Sequence, residues 1–113
     1  MLIYKVFRPA EWSELRSAGT TAGAPVDRAD GYIHFSTADQ LPGTLEKHFA
    51  GEADLVLLAL DPAALGPALI WEPARGGALF PHLYTDLPAA RAVSVDALAR
   101  DAAGEFILPD LGP

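Results

Sequence analysis

Three short segments of the chain concentrate the side chains whose types and spacing suit chemistry. In the first, residues 31–37, the polar side chains of Tyr32, His34 and Ser36 alternate with apolar ones. This period of two is typical of a half-buried strand, so we expect the three polar side chains to share one face. A helix is predicted to follow at once, and its free N–H groups and positive dipole favour a bound ligand. The alternative is that His34 bonds neighbouring backbone and Ser36 only caps the helix.

The residues at the start of that helix extend the first segment. Ser36 or Thr37 is expected to cap the helix, with Asp39 or Gln40 completing a reciprocal capping box. Gln40 lies about one turn after Ser36, so we expect it to face the same pocket. Thr37 and Gln40 are therefore candidate ligand-binding residues.

The second segment is a short strand that ends at Glu72, between Trp71 and Pro73. Residues two apart in a strand share a face, which places Glu72 with Ile70. A carboxylate at the rim of an apolar sheet can stabilise a developing positive charge or accept a proton from a hydroxyl. The alternative is an exposed carboxylate that meets only water.

The third segment, residues 80–84, carries an imidazole and a phenol. His82 and Tyr84 are expected to share one face, with Leu83 on the other. The two polar rings supply hydrogen-bond donors, acceptors and a stacking surface. A glycine pair just upstream leaves the preceding loop free to approach a ligand closely. The alternative is a pair of amphipathic rings that bury their bodies and keep their polar tips in water.

Several kinds of chemistry are excluded by what the chain lacks. It has no cysteine, and therefore no disulfide, thiolate zinc site or cysteine nucleophile. The G-x-S-x-G, P-loop and G-x-G-x-x-G motifs are also missing. The histidines at 34, 48 and 82 are separated by 14 and 34 residues, so no local pair suits a metal and we expect no metal cofactor. A Ser36–His82–Glu72 triad is conceivable, but only the fold can assemble it.

Composition is typical of a soluble globular chain. Its 113 residues are 50% hydrophobic, enough for a core, and we expect a single domain over residues 1–113. The 8 basic and 15 acidic side chains give a net charge of −7, which argues against general nucleic-acid binding but allows a small basic site. No apolar run approaches the roughly 18 residues of a membrane span. Lys5 and Arg8 also interrupt the N-terminal apolar stretch, so we expect a cytoplasmic protein that does not bind membranes.

Two helices are predicted in the N-terminal half. The first begins at Pro9 and stops at Gly19. The second runs over residues 38–49, kinked or split at Pro42-Gly43. The residues between 20 and 30 are expected to form a loop.

The strands complete an order of β-α-β-α-β followed by mostly strands. Apart from residues 31–37, strands are predicted at residues 2–7, 55–60, 68–72, 92–98 and 105–108. Residues 55–60 are apolar on both faces and belong in the sheet interior. The last two strands are expected to pair as a hairpin around residues 101–104, with a helix over 96–103 as the alternative. This pattern favours an α+β fold with helices packed on a curved, largely antiparallel sheet.

Taken together, these segments resemble a small bacterial and plant family of uncharacterised proteins over nearly the whole chain. The resemblance includes the G-[YF]-I-H-x-S-T and F-P-H-x-Y motifs, here at residues 31–37 and 80–84. The other matching segments are residues 3–6, Trp12, Gln40, residues 54–58, Asp61-Pro62, Leu65-Gly66 and Trp71-Glu72.

The pattern of that family is in turn similar to the ADP-ribosyltransferase superfamily, which includes the RNA 2′-phosphotransferases. This resemblance implies a curved, split antiparallel sheet with two N-terminal helices, and NAD held as substrate in the cleft between the halves. The superfamily's motifs would fall at Lys5, at His34 with Ser36 and Thr37, and at Glu72 or the His82–Tyr84 pair.

The resemblance also implies a mechanism. Breaking the nicotinamide–ribose bond builds positive charge on the ribose, which Glu72 would stabilise. His34 would bond a ribose hydroxyl, Ser36 would orient the nicotinamide, and Tyr84 would stack on it. The superfamily usually has His or Arg where this chain has Lys5, a departure that implies a changed substrate or no catalysis.

The sequence therefore predicts an ADP-ribosyltransferase-like enzyme that acts on NAD or an ADP-ribose-type nucleotide. Because the chain is acidic overall, it needs a local positive site to bind the pyrophosphate, and we expect that site at Lys5, Arg75 or a helix N-terminus. A non-catalytic module that binds a small metabolite in the same cleft is the alternative. An RNA 2′-phosphotransferase-like enzyme is a less favoured hypothesis. Such an enzyme needs several arginines around the phosphate, and only Arg75 lies near the proposed site in the sequence. The candidate catalytic residues are Glu72, His34 and His82, and the candidate ligand-binding residues are Lys5, Tyr32, Ser36, Thr37, Gln40, Arg75 and Tyr84.

Overall fold

A computed structural model describes residues 1–111, which form eleven β-strands and three α-helices. The strands are β1 (Ile3–Phe7), β2 (Thr20–Thr21), β3 (Ile33–His34), β4 (Ser36–Thr37), β5 (Val56–Leu60), β6 (Leu69–Pro73), β7 (Leu79–Leu83), β8 (Leu87–Pro88), β9 (Ala92–Ala97), β10 (Ala99–Arg100) and β11 (Phe106–Ile107). The α-helices are α1 (Pro9–Ala18), α2 (Pro25–Asp30) and α3 (Leu41–Phe49), and short 3-10 helices lie at Pro62–Ala68, Arg75–Gly77 and Ala89–Arg91. None of the helices in this part of the chain is both long and apolar enough to cross a bilayer.

Two antiparallel sheets form the body of the fold, which confirms the α+β class. One has the strand order β4-β1-β5-β9 and the other β3-β7-β6. The strand predicted over residues 31–37 is wrong in one respect, because it breaks at the buried Phe35. β3 pairs with β7, whereas β4 pairs with β1. The chain therefore crosses from one sheet to the other between His34 and Ser36.

β1 and β5 lie in the interior of the four-stranded sheet and are covered on both faces. On one face, Phe7 and Leu58 belong to the same core as Ile33 and Leu83 of the smaller sheet. On the other face, the apolar side of α3 packs against the sheet. The predicted interior position of residues 55–60 is confirmed, since β5 pairs with β1 on one side and β9 on the other.

Residues 20–30 are not the predicted loop, because they contain β2 and α2. Pro25 occupies the start of α2, and the carboxylate of Asp27 accepts a hydrogen bond from the N–H of Ala24 (2.7 Å). Gly31 ends the helix with φ +86°, a left-handed conformation that glycine adopts without strain. The chain thus has three α-helices within residues 1–111, not the two that were predicted.

α3 is continuous, so the predicted kink or split at Pro42-Gly43 is wrong. The helix begins at Leu41, which places Pro42 in the first turn, where its missing N–H would have no partner anyway. The predicted stop of α1 at Gly19 is confirmed, with φ +78°. Gly19 was correctly predicted to end α1. Pro42 was correctly associated with α3, but its effect depends on where that helix begins.

The C-terminal strands pair differently from the prediction. β9 extends the four-stranded sheet beside β5, and only β10 and β11 form a hairpin. Its turn is closed by Asp101, whose Oδ1 accepts hydrogen bonds from the N–H groups of Ala103 (2.9 Å) and Glu105 (3.0 Å). The alternative helix over residues 96–103 is therefore wrong.

Candidate functional site

A cleft of about 610 Å³ is lined by residues of α2, α3 and both sheets. Its volume lies within the roughly 300–1,000 Å³ of pockets for small molecules. The predicted site residues that line it are Lys5, His34, Ser36, Arg75 and His82. A second cavity, of about 260 Å³, is lined by Tyr32 and Tyr84 among others. Thr37, Gln40 and Glu72 line neither of these two cavities.

Glu72, His82 and Tyr84 form one hydrogen-bonded cluster. The pairing of β6 with β7 sets Glu72 opposite Phe80 and Ile70 opposite His82, so Glu72 and His82 are diagonal neighbours on one face. Oε1 of Glu72 accepts hydrogen bonds from Nδ1 of His82 (2.8 Å) and from the hydroxyl of Tyr84 (2.7 Å). The prediction that His82 and Tyr84 share a face is confirmed, because both reach the same carboxylate oxygen.

The electrostatics of this cluster decide which nitrogen of His82 is available. Hydrogen bonds from Tyr84 and His82 lower the pKa of Glu72, so its carboxylate is ionised and can only accept. Nδ1 of His82 must then be the donor in this hydrogen bond, so Nε2 is the ring nitrogen that remains for a ligand. Nε2 has no hydrogen-bond partner within residues 1–111, although the side chain is only 4% exposed. The bond to Glu72 also raises the pKa of Tyr84 to about 12.

Asp27 is the centre of a second cluster on the opposite wall. The residue is fully buried. Its Oδ1 accepts from the backbone N–H (3.1 Å) and Nδ1 (2.6 Å) of His34, and its Oδ2 from Nζ of Lys5 (2.8 Å) and the N–H of Ala24 (2.7 Å). Burial raises the pKa of Asp27, but the hydrogen bond from His34 and the charge of Lys5 outweigh it and bring the pKa to about 2. The carboxylate is therefore ionised and fully engaged.

Lys5 and His34 line the cleft with their polar groups already bonded. Burial lowers the pKa of Lys5, and the ion pair with Asp27 opposes that effect. Nδ1 of His34 bonds Asp27, and its Nε2 lies 3.0 Å from Oδ2 of Asp30. The sequence analysis predicted that the positive charge of Lys5 would bind a pyrophosphate. In the structure, that charge is instead paired with the carboxylate of Asp27.

Tyr32 packs its ring against the other aromatic side chains of both clusters. Its ring centroid lies 4.7 Å from that of His34, 4.2 Å from His82 and 5.1 Å from Tyr84. The predicted proximity of Tyr32 and His34 is confirmed, whereas Ser36 continues into the other sheet. Burial raises the pKa of Tyr32, and the charges of Asp30 and Glu72 add to it.

Ser36 and Arg75 meet at Thr44, on the side of α3 that lines the cleft. The hydroxyls of Ser36 and Thr44 are 2.7 Å apart, and Nη2 of Arg75 lies 3.5 Å from Oγ1 of Thr44. The guanidinium of Arg75 also lies over the ring of Phe80, with 5.0 Å from Cζ to the ring centroid. These contacts place a cation and two hydroxyls together at one part of the cleft.

Thr37 and Gln40 hold the start of α3 in place. The N–H of Thr37 donates to Oε1 of Gln40 (3.0 Å), and the N–H of Gln40 donates to Oγ1 of Thr37 (3.3 Å). This is the reciprocal pair predicted as a capping box, although α3 itself begins at Leu41. Nε2 of Gln40 donates to the carbonyl of Leu79 (2.7 Å), so these residues connect α3 to β7.

The conceivable Ser36–His82–Glu72 triad is only half assembled. His82 bonds Glu72, but the hydroxyl of Ser36 bonds Thr44. Within the described part of the chain, no group of three or more histidine and carboxylate side chains could hold a metal ion. The hydrogen-bonded ring of His82 can take part in proton transfer, and the guanidinium of Arg75 can bind an anion.

Sequence reasoning missed several residues whose polar or charged side chains line the cleft, five of which bear on the site. These five are Asp27, Asp30, Thr44, Lys47 and His48. Asp27 follows Pro25 at the start of α2, and this spacing could have predicted that Asp27 caps a helix. It could not have predicted that Lys5 and His34 bond the same carboxylate. Thr44, Lys47 and His48 lie three and four apart in α3, and this spacing places them on one face. What it could not indicate is that this face lines a cleft.

The fold and the cleft define a small α+β protein in which two histidines, each bonded to a carboxylate, line a pocket of small-molecule size. A family profile described as "Protein of unknown function (DUF952)" matches residues 6–95, and the chain belongs to this family. The predicted resemblance to a family of uncharacterised proteins is thereby confirmed. A search of the curated proteins finds no match.

Solved structures of one protein of Caulobacter crescentus, CC0527, are similar to this chain. Its crystal structure is 44% identical in sequence, with a TM-score of 0.89 over 95% of this chain and 94% of that one. Its solution NMR structure is 45% identical, with a TM-score of 0.81 over 92% of this chain and 90% of that one. The likeness extends over nearly the whole chain.

Proposed function

We propose that the protein is an enzyme that acts on an ADP-ribose-type nucleotide, with His82 as its general base. The observation that carries this proposal is the hydrogen bond from Nδ1 of His82 to the ionised Glu72, which leaves Nε2 without a partner within residues 1–111, on a side chain that lines a cleft of about 610 Å³. A carboxylate that fixes the tautomer of an imidazole and stabilises its cation is a recurrent device of acid–base catalysis.

The reaction class is the transfer or hydrolysis of an N-ribosyl bond such as that of NAD. The bond between ribose C1′ and the nicotinamide nitrogen breaks, and its electron pair neutralises the pyridinium. A hydroxyl of water or of an acceptor forms the new C1′–O bond and gives its proton to Nε2 of His82. Positioning a base in this way contributes typically 10²–10⁴-fold to a rate.

Glu72 takes a different part from the one that the superfamily resemblance implies. Its carboxylate bonds His82 and Tyr84 and does not line the cleft, so it acts as a positioning residue for His82. Asp30 lines the cleft and is partly exposed, so we assign to this carboxylate the stabilisation of the ribosyl cation. Tyr84 reinforces the orientation of Glu72.

A non-catalytic module that binds a small metabolite is the second candidate. It is favoured by one observation: Lys5 and Glu72, the charged groups that the resemblance assigns to NAD chemistry, are both bonded to side chains of the protein itself. Such a module would use the same cleft with no bond broken.

The test compares the wild type with His82→Asn. Asparagine keeps an N–H near the position of Nδ1 that can donate to Glu72, but removes Nε2. Binding of NAD, ADP-ribose and nicotinamide is followed by thermal shift and calorimetry, and nicotinamide release by chromatography. We expect wild-type turnover, and His82→Asn to bind with similar affinity but lose about 100-fold or more in rate.

Two outcomes would decide against parts of this proposal. Nucleotide binding without any turnover in the wild type would favour the binding module. No thermal shift with any of the three compounds at millimolar concentration would overturn the nucleotide assignment altogether. Asp39→Asn serves as the control, since Asp39 is exposed and lines neither of the two cavities.

A further inference from the structure

Arg75, Thr44 and Ser36 form a polar corner of the cleft that none of the comparisons assigns to a ligand. We propose that this corner binds a phosphate group of the substrate; the inference rests on the proposed function for the identity of the nucleotide. The substrate class is then a nucleotide with a diphosphate or terminal phosphate, whose ribosyl end is presented to His82.

Most N–H donors of the Arg75 guanidinium have no acceptor among residues 1–111. It lies over the ring of Phe80, and its nearest polar contact is the long one, 3.5 Å, to Oγ1 of Thr44. No carboxylate lies within ion-pair distance of it in the described part of the chain. Lys5 and Arg8, which also line the cleft, are both paired with carboxylates. A guanidinium with a rigid fork of N–H groups suits the two oxygens of a phosphate.

The hydroxyls beside Arg75 show where an anionic oxygen would fit. Oγ1 of Thr44 donates to the carbonyl of Gln40 (3.2 Å), so the 2.7 Å contact is best satisfied with Ser36 as its donor. Two donors, Arg75 and Ser36, therefore converge on a single oxygen of the protein. A phosphate oxygen can accept from the same two donors, and does so more strongly because it is charged.

The helix backbone beneath the guanidinium is left open by a glycine. A Cβ at Gly43 would lie 3.3 Å from Nη2 of Arg75, tighter than an ordinary contact, so a side chain there would crowd the guanidinium. Gly43→Ala is therefore a second, independent way to disturb the corner without removing any of its donors.

Basic side chains besides Arg75 lie near the corner, in a chain of net charge −7 whose carboxylates Asp27 and Asp30 line the same cleft. Lys47 lines the cleft, and it too has no ion pair among residues 1–111. Burial lowers the pKa of His48, and the neighbouring cations Lys47 and Arg75 lower it further. A local positive field of this kind favours a phosphate over a neutral group.

The test measures the affinity of the folded protein for inorganic pyrophosphate, ADP and adenosine by calorimetry. We expect pyrophosphate and ADP to bind, with adenosine at least about tenfold weaker than ADP, because charge-assisted hydrogen bonds carry the difference. Arg75→Ala should weaken both phosphate ligands by about tenfold or more, and Arg75→Lys should restore only part of the loss. Gly43→Ala should weaken them less.

Arg91→Ala is the matched control, since Arg91 is exposed and lines neither of the two cavities. Equal affinity of the wild type and Arg75→Ala for ADP and pyrophosphate would overturn the inference, even if nicotinamide release were found. Conversely, Arg75-dependent binding of pyrophosphate without any nicotinamide release would support the phosphate corner while removing the proposed enzyme activity. Unchanged thermal melting of each variant confirms that it is folded.

Discussion

The two histidines that bond carboxylates, His34 and His82, both line the cleft but differ in what their second ring nitrogen meets. In each, Nδ1 of the histidine bonds a carboxylate, at 2.6 Å for His34 with Asp27 and at 2.8 Å for His82 with Glu72. Nε2 of His34 then meets a second carboxylate, Asp30, whereas Nε2 of His82 has no partner within residues 1–111. The availability of that nitrogen separates a pair that holds the fold from a pair that can act on a ligand.

The carboxylates of the two pairs, Asp27 and Glu72, also differ in burial and in the number of hydrogen bonds that they accept. Asp27 is buried and accepts four hydrogen bonds, which connect β1, β3 and α2. Glu72 lies at the partly exposed end of β6 and, among residues 1–111, accepts bonds only from His82 and Tyr84. Removal of charge should therefore cost stability at Asp27 and activity at Glu72.

Asp27→Asn should have the largest effect on stability. It leaves the buried ammonium of Lys5 without a matching charge, and removing one partner of such a pair costs about 3–5 kcal/mol. The free energy of unfolding from urea titration measures the loss. Asp39→Asn, at an exposed aspartate, should change it by less than about 0.5 kcal/mol. Similar small losses in both variants would contradict the structural part assigned to Asp27.

Glu72→Gln should have the opposite profile. The neutral amide no longer stabilises a cationic His82 and can impose the wrong tautomer, so we expect turnover to fall by about 100-fold or more. The melting temperature and the affinity for nucleotide should change little, because Glu72 lines neither of the two cavities. A variant with full turnover would show that the carboxylate does not position His82.

The pH dependence of stability should separate the two regions further. Because the pKa of Asp27 is depressed to about 2 in the folded state, its ionised form contributes stability above the unfolded pKa of about 4. That contribution, about 2–3 kcal/mol, is lost as the pH falls toward 2. Urea titrations between pH 6 and pH 2 should show the gap between wild type and Asp27→Asn narrowing with acid. A gap that stays constant would contradict the assignment.

The smallest expected effect is a change in the pH at which Tyr84 ionises, which ultraviolet absorbance measures. Tyr84 has its pKa raised to about 12 by the bond to Glu72, so its phenolate should form late in an ultraviolet pH titration. Glu72→Gln should move this ionisation down toward the ordinary value of about 10, and Tyr84→Phe identifies the signal. If the late ionisation persists in Glu72→Gln, the hydrogen bond is not its cause.

Local patterns predicted the elements better than they predicted their partners. Gly19 ends α1, residues 55–60 lie inside the sheet, and the face shared by His82 and Tyr84 is correct, because each follows from backbone periodicity or a cap. The break at Phe35 could not be predicted, since alternation within a strand says nothing about a change of sheet. The ion pair of Lys5 with Asp27 spans 22 residues and depends on a helix that was read as a loop.

The candidate site shows the same division. The residue types at His34, His82 and Glu72 were found from the sequence, but their roles depend on which nitrogen or oxygen is already bonded. Thr44 and Lys47 were missed because a polar helix face is usually a solvated one. That face lines a cleft because α3 packs its apolar side on the four-stranded sheet and lies beside β4.

The central claim is that Nε2 of His82 is the protein atom that meets the ligand, and nitrogen-resolved NMR of the histidine side chains tests it most directly. In protein labelled with ¹⁵N-histidine, the three rings are assigned with His34→Asn and His82→Asn, and ADP-ribose is titrated in. We predict that free His82 is protonated at Nδ1 and that its Nε2 resonance shifts most on binding, with His34 changing less. A ligand that perturbs His34 while leaving Nε2 of His82 unmoved would contradict the claim.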